Sequence, residues 1–135
     1  MCPYCKIDTD VYMSCEEHTV QSFPDHLFSI CPHIKAAKNQ IRFLNMGYQN
    51  NSYLDMSDLV HFPNAEHFDF QQNNMLKVTG GTMGKDQSYR KIETLILGQN
   101  TSLVIDDGAF DGMWALKKLD LEGNHVGSYT SISWP

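Results

Sequence analysis

The chain has 135 residues, 41% apolar and 19% charged, enough apolar material for one domain with a real core and too much for wholesale disorder. Its net charge is −6 and its ten Lys and Arg are scattered, so it offers no basic patch for nucleic acid or an anionic membrane surface. No apolar run approaches the roughly 20 residues that span a bilayer.

All four cysteines, Cys2, Cys5, Cys15 and Cys31, lie in the first forty residues. An even number gathered ahead of a cysteine-free remainder predicts disulfides and an oxidising compartment. Two rival chemistries use the same residues. Cys2-Pro3-Tyr4-Cys5 has the wording of the glutaredoxin redox motif, but such a motif needs a buried strand before it and only Met1 precedes it. A zinc site could draw on these cysteines with His18, His26 and His33, yet structural zinc sites present two close ligand pairs and only Cys2/Cys5 is one. The chain opens on Met1-Cys2-Pro3 with no signal peptide, which fits a mature protein carrying an added Met or a piece of a longer product.

From Ile41 onward a pattern sets in. Ile92, Leu95, Leu97 and Asn100 spell L-x-x-L-x-L-x-x-N, and Leu116, Leu119, Leu121 and Asn124 spell it again. Ala65, Phe68, Phe70 and Asn73 make an earlier copy, and Ile41, Leu44 and Met46 one before that. Starts at 41, 65, 92 and 116 are 24, 27 and 24 residues apart. This is the leucine-rich-repeat signature, with a period inside its range of roughly 20–29 residues.

The pattern predicts short strands whose apolar residues point one way and whose intervening residues point the other. Strands of successive coils pair in parallel, about 4.8 Å apart. Asn73, Asn100 and Asn124 then form a ladder at the turn after each strand, because an amide can both donate to and accept from backbone. In the first coil Gln49 holds that place with Asn50 one step beyond, so that coil is either irregular or shifted by a residue.

Beyond the ladder, Leu76 and Val78 match Leu103 and Ile105, with Leu54 in the first coil, and Phe110 and Met113 return the chain under the core. The 27-residue coil takes up its extra length in a glycine-rich bulge around residues 79–86. The last coil stops after Tyr129, Ile132, Trp134 and Pro135 without a closing cap, which predicts a partial ectodomain or an end that stacks on a partner, a second copy included.

Residues between the strand leucines form the outer face: Phe43, His67, Thr94 and Lys118 in one row, and Asn45, Asp69, Ile96 and Asp120 in the next. Gly47, Gln71, Gly98 and Glu122 follow, with Tyr48 beside them. Phe43, Tyr48 and Ile96 stand out, since exposed aromatics and aliphatics serve as binding anchors. His67 beside Asp69 is a candidate pH-sensitive contact. Catalysis finds no motif: His61 and His67 do not make H-E-x-x-H, there is no G-x-S-x-G, and Asp106, Asp107 and Asp111 read as solvated turn residues. Of two N-x-[ST] sequons, Asn50 is the better acceptor, because Asn100 belongs to the ladder.

The run from Ile105 to Met113 (IDDGAFDGM) and the copies around it resemble the extracellular leucine-rich-repeat proteins of animals, including Toll-like receptor ectodomains and secreted innate-immune proteins. The resemblance implies an α/β-type right-handed solenoid of four repeats over residues 41–135. Its concave face carries short parallel strands, its convex side is irregular or short-helical, and residues 1–40 form a disulfide-stapled N-terminal cap. Cys15 followed by Val20, Phe23 and Pro24 is similar to the start of such caps; Val20, Phe23, Leu27, Phe28 and Ile30 would supply its apolar face. Cys5 and Cys15 would then close a hairpin, leaving Cys2 for Cys31, one of three connectivities the four cysteines allow. A further implication is non-enzymatic recognition of a protein ligand or co-receptor outside the cell, in immunity, adhesion or development. Binding would use Phe43, Tyr48, His67, Asp69, Gln71, Thr94, Ile96, Lys118, Asp120 and Glu122, with no cofactor and no metal.

Overall fold

The computed structural model describes residues 2–80, 91–101, 103–106, 108–110 and 112–124. Strands β1 (Cys5–Asp8) and β2 (Tyr12–Cys15) form an antiparallel hairpin. Thr9 and Asp10 turn it with positive φ angles of 53° and 66°. Cys5 and Cys15 stand directly opposite each other in that register and are joined by a disulfide. A second disulfide links Cys2 to Cys31, between helices α1 (Asp25–Ile30) and α2 (Pro32–Ala36). Pro32 opens α2, where its missing N–H would have had no helical partner.

The described residues from Phe43 onward alternate between two sheets in which they pair in parallel. Strands β3 (Phe43–Asn45), β5 (His67–Asp69), β7 (Thr94–Ile96) and β9 (Lys118–Asp120) continue from the hairpin in the order β1-β2-β3-β5-β7-β9. Strands β4 (Tyr53–Asp55), β6 (Lys77–Thr79) and β8 (Val104–Ile105) make the second sheet. A short 3₁₀ helix, Met56–His61, follows β4 and starts where the Asp55 carboxylate accepts from Ser57 N–H at 2.9 Å. The pairing frame is strict: Leu44, Phe68, Leu95 and Leu119 lie side by side, and so do Leu54, Val78 and Ile105.

One apolar cluster fills the space behind both sheets. Leu44, Met46, Phe68, Phe70, Leu95 and Leu97 enter it from the large sheet, Leu54, Val78 and Ile105 from the small one. Met13, Val20, Leu27 and Ile34 bring the N-terminal segment into the same cluster. Phe23 stacks on Phe62 at 5.7 Å and meets Phe70 edge-on at 5.3 Å, fastening that segment to the chain that follows. Phe28 and Ile30 are only partly buried.

Three details depart from the sequence reading. Leu76 does not enter the core: it is 49% exposed, and Met75 is fully buried in its stead. The cause is a hydrogen bond from Met75 N–H to Asn100 Oδ1 at 3.0 Å, which draws residue 75 inward and turns residue 76 out. Strand β2 does more than close a hairpin, since it pairs in parallel with β3 and lengthens the large sheet. The Gln49 coil is in frame, for the reason given below. Most of the expected bulge (residues 81–86), Asp107, Asp111, and the expected early stop (residues 125–135) lie outside the described residues.

Candidate recognition face

Strands β3, β5, β7 and β9 each send their middle residue toward the core and their two flanking residues to the other side, and Tyr12-Met13-Ser14 of β2 does the same. The parallel register therefore aligns Tyr12, Phe43, His67, Thr94 and Lys118 in one row. Tyr12 heads it, a position hidden from the repeat frame because it precedes the first repeat. Its ring stacks on Phe43 at 6.2 Å with 24° between planes, and Phe43 sits 5.8 Å from His67. Tyr12 and Phe43 are each 37% exposed, so the row presents aromatic surface to solvent while its rings brace one another. Burial lowers the His67 pKa from the ordinary histidine value; Asp69 pulls it back up and Lys118 adds to the lowering.

The neighbouring row serves the fold more than the surface. Asp69, expected on the open face, is buried. Its Oδ1 accepts from Gln71 N–H at 2.9 Å and its Oδ2 from Gln71 Nε2 at 3.0 Å, which also ties down Gln71. Asn45 accepts from Gly47 N–H at 3.1 Å and Asp120 from Glu122 N–H at 2.9 Å in the same manner. These side chains shape the turn as the chain leaves each strand. Ile96, half-buried, has no acceptor to offer and breaks the series. Along the outer flank Arg42 pairs with Glu66 and Lys117 with Glu93 (2.8 Å), and the hydrogen bond to Glu93 raises the Lys117 pKa. Lys118 and Glu122 are exposed, and Thr94 half-buried. Tyr48, 36% exposed, sits at a positive φ of 61°, as do Gln72, Gln99 and Gly123 one coil apart.

Beneath that turn runs the amide ladder. Asn73 Oδ1 accepts from Gln49 N–H (3.2 Å) and Asn51 N–H (3.0 Å), while its Nδ2 donates to Met46 O and Phe70 O. Asn100 Oδ1 accepts from Asn73 N–H and Met75 N–H, and Asn124 Oδ1 from Asn100 N–H at 2.8 Å. Gln49 occupies the same step and is 1% exposed. Its Oε1 accepts from Thr19 N–H (3.0 Å) and Val20 N–H (2.9 Å), and its Nε2 donates to Glu16 O (2.7 Å). The extra methylene of glutamine is what lets the ladder reach the non-repeating N-terminal segment.

The cysteine sulfurs of Cys2, Cys5 and Cys31 lie within 4.8 Å of one another. Each is spent in a disulfide, so none is a thiolate able to bind metal. His33, one of the histidines near them in sequence, hydrogen-bonds Cys5 O through Nε2 at 3.1 Å. Asp106 pairs with Lys77 at 3.5 Å, as a surface carboxylate does.

No family model matches the chain. Comparison with curated proteins and with solved structures likewise returned no match. Among the described residues, no helix is long and apolar enough to cross a membrane.

Proposed function

We propose that the chain is a non-enzymatic recognition module: a leucine-rich-repeat solenoid that binds a protein ligand or co-receptor outside the cell through the outer face of its large sheet. The observation that carries this reading is the row Tyr12–Phe43–His67, exposed at Tyr12 and Phe43 and half-buried at His67. Aromatic side chains with few rotatable bonds, braced on a sheet, lose little entropy on contact and dominate protein interfaces. The strands beneath are locked by ladder and register, so the surface is pre-organised, which lowers the cost of binding. The four Sγ atoms, all in disulfides, fit an oxidising, extracellular setting.

The test is site-specific cross-linking. A photoreactive amino acid replaces Phe43 in one preparation and Val104, on the small sheet, in another. Both are offered to animal cell surfaces and extracellular fluid. The proposal expects one or a few proteins captured from position 43, with capture competed by excess unlabelled chain but not by the Tyr12→Ala/Phe43→Ala double variant. Equal capture from both positions, or equal competition by the double variant, would contradict it.

A further inference from the structure

The two sequons differ sharply in what their asparagines are already doing. Asn100 is 2% exposed, and its Nδ2, the atom a glycan joins, donates to Leu97 O at 2.9 Å and to Phe70 O and Gly98 O at 3.3 Å. Asn50 is exposed. Its Oδ1 accepts from Asn74 Nδ2 at 3.0 Å, an arrangement that fixes the amide and leaves Nδ2 without a described partner. A glycosylated amide keeps that oxygen, so the bond to Asn74 survives modification.

Asn50 also lines a groove between the N-terminal segment and the first coil. Two adjoining depressions of about 310 and 290 Å³ share Gln21 and Asn50. The second runs past Ser22 to Tyr53, which is 66% exposed. Among the described residues no Asp, Glu, Lys or Arg lines either depression; His18 lines the first, and the second, the one that reaches Tyr53, is lined by amides, hydroxyls and aromatic rings. Uncharged amides and hydroxyls beside an open aromatic ring suit a neutral sugar, whose hydroxyls and N-acetyl group need donors and acceptors and whose ring face packs on an aromatic. The groove ends at β4, the edge strand of the small sheet. An open edge invites pairing with other chains unless something covers it.

We infer that Asn50 carries an N-linked glycan whose first sugar lies in this groove against Tyr53 and shields the β4 edge. The inference rests on the extracellular reading above. In the transfer, C1 of the reducing-end N-acetylhexosamine of a lipid-pyrophosphate-linked oligosaccharide bonds to Asn50 Nδ2. The bond from C1 to the pyrophosphate oxygen breaks, the lipid pyrophosphate leaves with the electron pair, and the amide gives up a proton. The secretory pathway supplies this donor.

The chain is secreted from animal cells behind a signal peptide, its mass is read before and after amidase release of N-glycans, and its disulfides are mapped on the same sample. The expected result is one glycan, lost in Ser52→Ala and retained in Ser102→Ala. A disulfide-bonded product with unmodified Asn50 overturns the inference alone; free thiols with unmodified Asn50 overturn it together with the extracellular reading. The seat is tested by thermal unfolding. Glycan removal lowers the midpoint of the wild-type chain and lowers that of Tyr53→Ala by markedly less. Equal shifts would show that the sugar does not rest on Tyr53.

Discussion

At the scale of single residues, buried amides decide more than the apolar side chains around them. Asn73 satisfies two backbone N–H groups and three carbonyls across adjacent turns of the chain. Removing it strands buried polar backbone, each group costing about 1–3 kcal/mol. Asn73→Ala is therefore expected to lose about 3 kcal/mol or more in denaturant unfolding. Asn45→Ala, which gives up one turn hydrogen bond and a long one to Tyr12 Oη, both beside water, is expected to lose about 1 kcal/mol. His67 adds a pH dependence. Its folded pKa lies below 6.5, so the folded state holds the proton less tightly than the unfolded chain. Its contribution is whole above pH 6.5 and falls away as pH drops from there through the lower folded value. Melting midpoints measured from pH 7 to pH 5 should fall, and fall less in His67→Gln. A folded-state NMR titration of His67 at or above the ordinary value would contradict this.

At the scale of elements, the N-terminal segment acts as the first layer of the sheet as well as a lid. Tyr12-Met13-Ser14 repeats the outward–inward–outward pattern of Phe43-Leu44-Asn45 and pairs with it residue for residue. That extension was not legible in the sequence, because a single x-apolar-x triplet outside the repeat period carries no periodic signal. The repeated strands were legible, since apolar residues two apart recurring at near-constant spacing leave one consistent frame. Leu76 was misread because its place was inferred from spacing alone, whereas the Met75–Asn100 hydrogen bond sets which residue turns inward. The cysteines were legible as disulfides; spacing alone left three connectivities open, and the pairing that the family resemblance implied is the one found. Their chain separations differ, 29 residues for Cys2–Cys31 and 10 for Cys5–Cys15. Loop-closure entropy then predicts that Cys2→Ser/Cys31→Ser destabilises by about 1 kcal/mol more than Cys5→Ser/Cys15→Ser, as urea titrations would show.

At the scale of the whole molecule, a short period makes a broad surface cheaply. From β3 onward each strand of the large sheet is followed by one ladder amide and adds one residue to the row that Tyr12 heads, so the proposed recognition face is as rigid as the stack beneath it. Its composition varies while its geometry does not: Tyr12, Phe43, His67, Thr94 and Lys118 share one row and run from aromatic to cationic. The parts of the face that the sequence could not settle are the carboxylates. Asp69 and Asp120 looked available for a partner, yet both are engaged in turning their own backbone.

The surface and the proposed solenoid both depend on in-register parallel stacking of the large sheet. Hydrogen-bond scalar couplings in labelled protein read that stacking directly. The expected set links Glu66 N–H to Arg42 O, Glu93 N–H to Glu66 O and Lys117 N–H to Glu93 O, one coupling per coil in a single line across the sheet. Couplings displaced by a residue would reverse the row and bury Phe43, and their absence with fast amide exchange at Glu66 and Glu93 would contradict the stack outright.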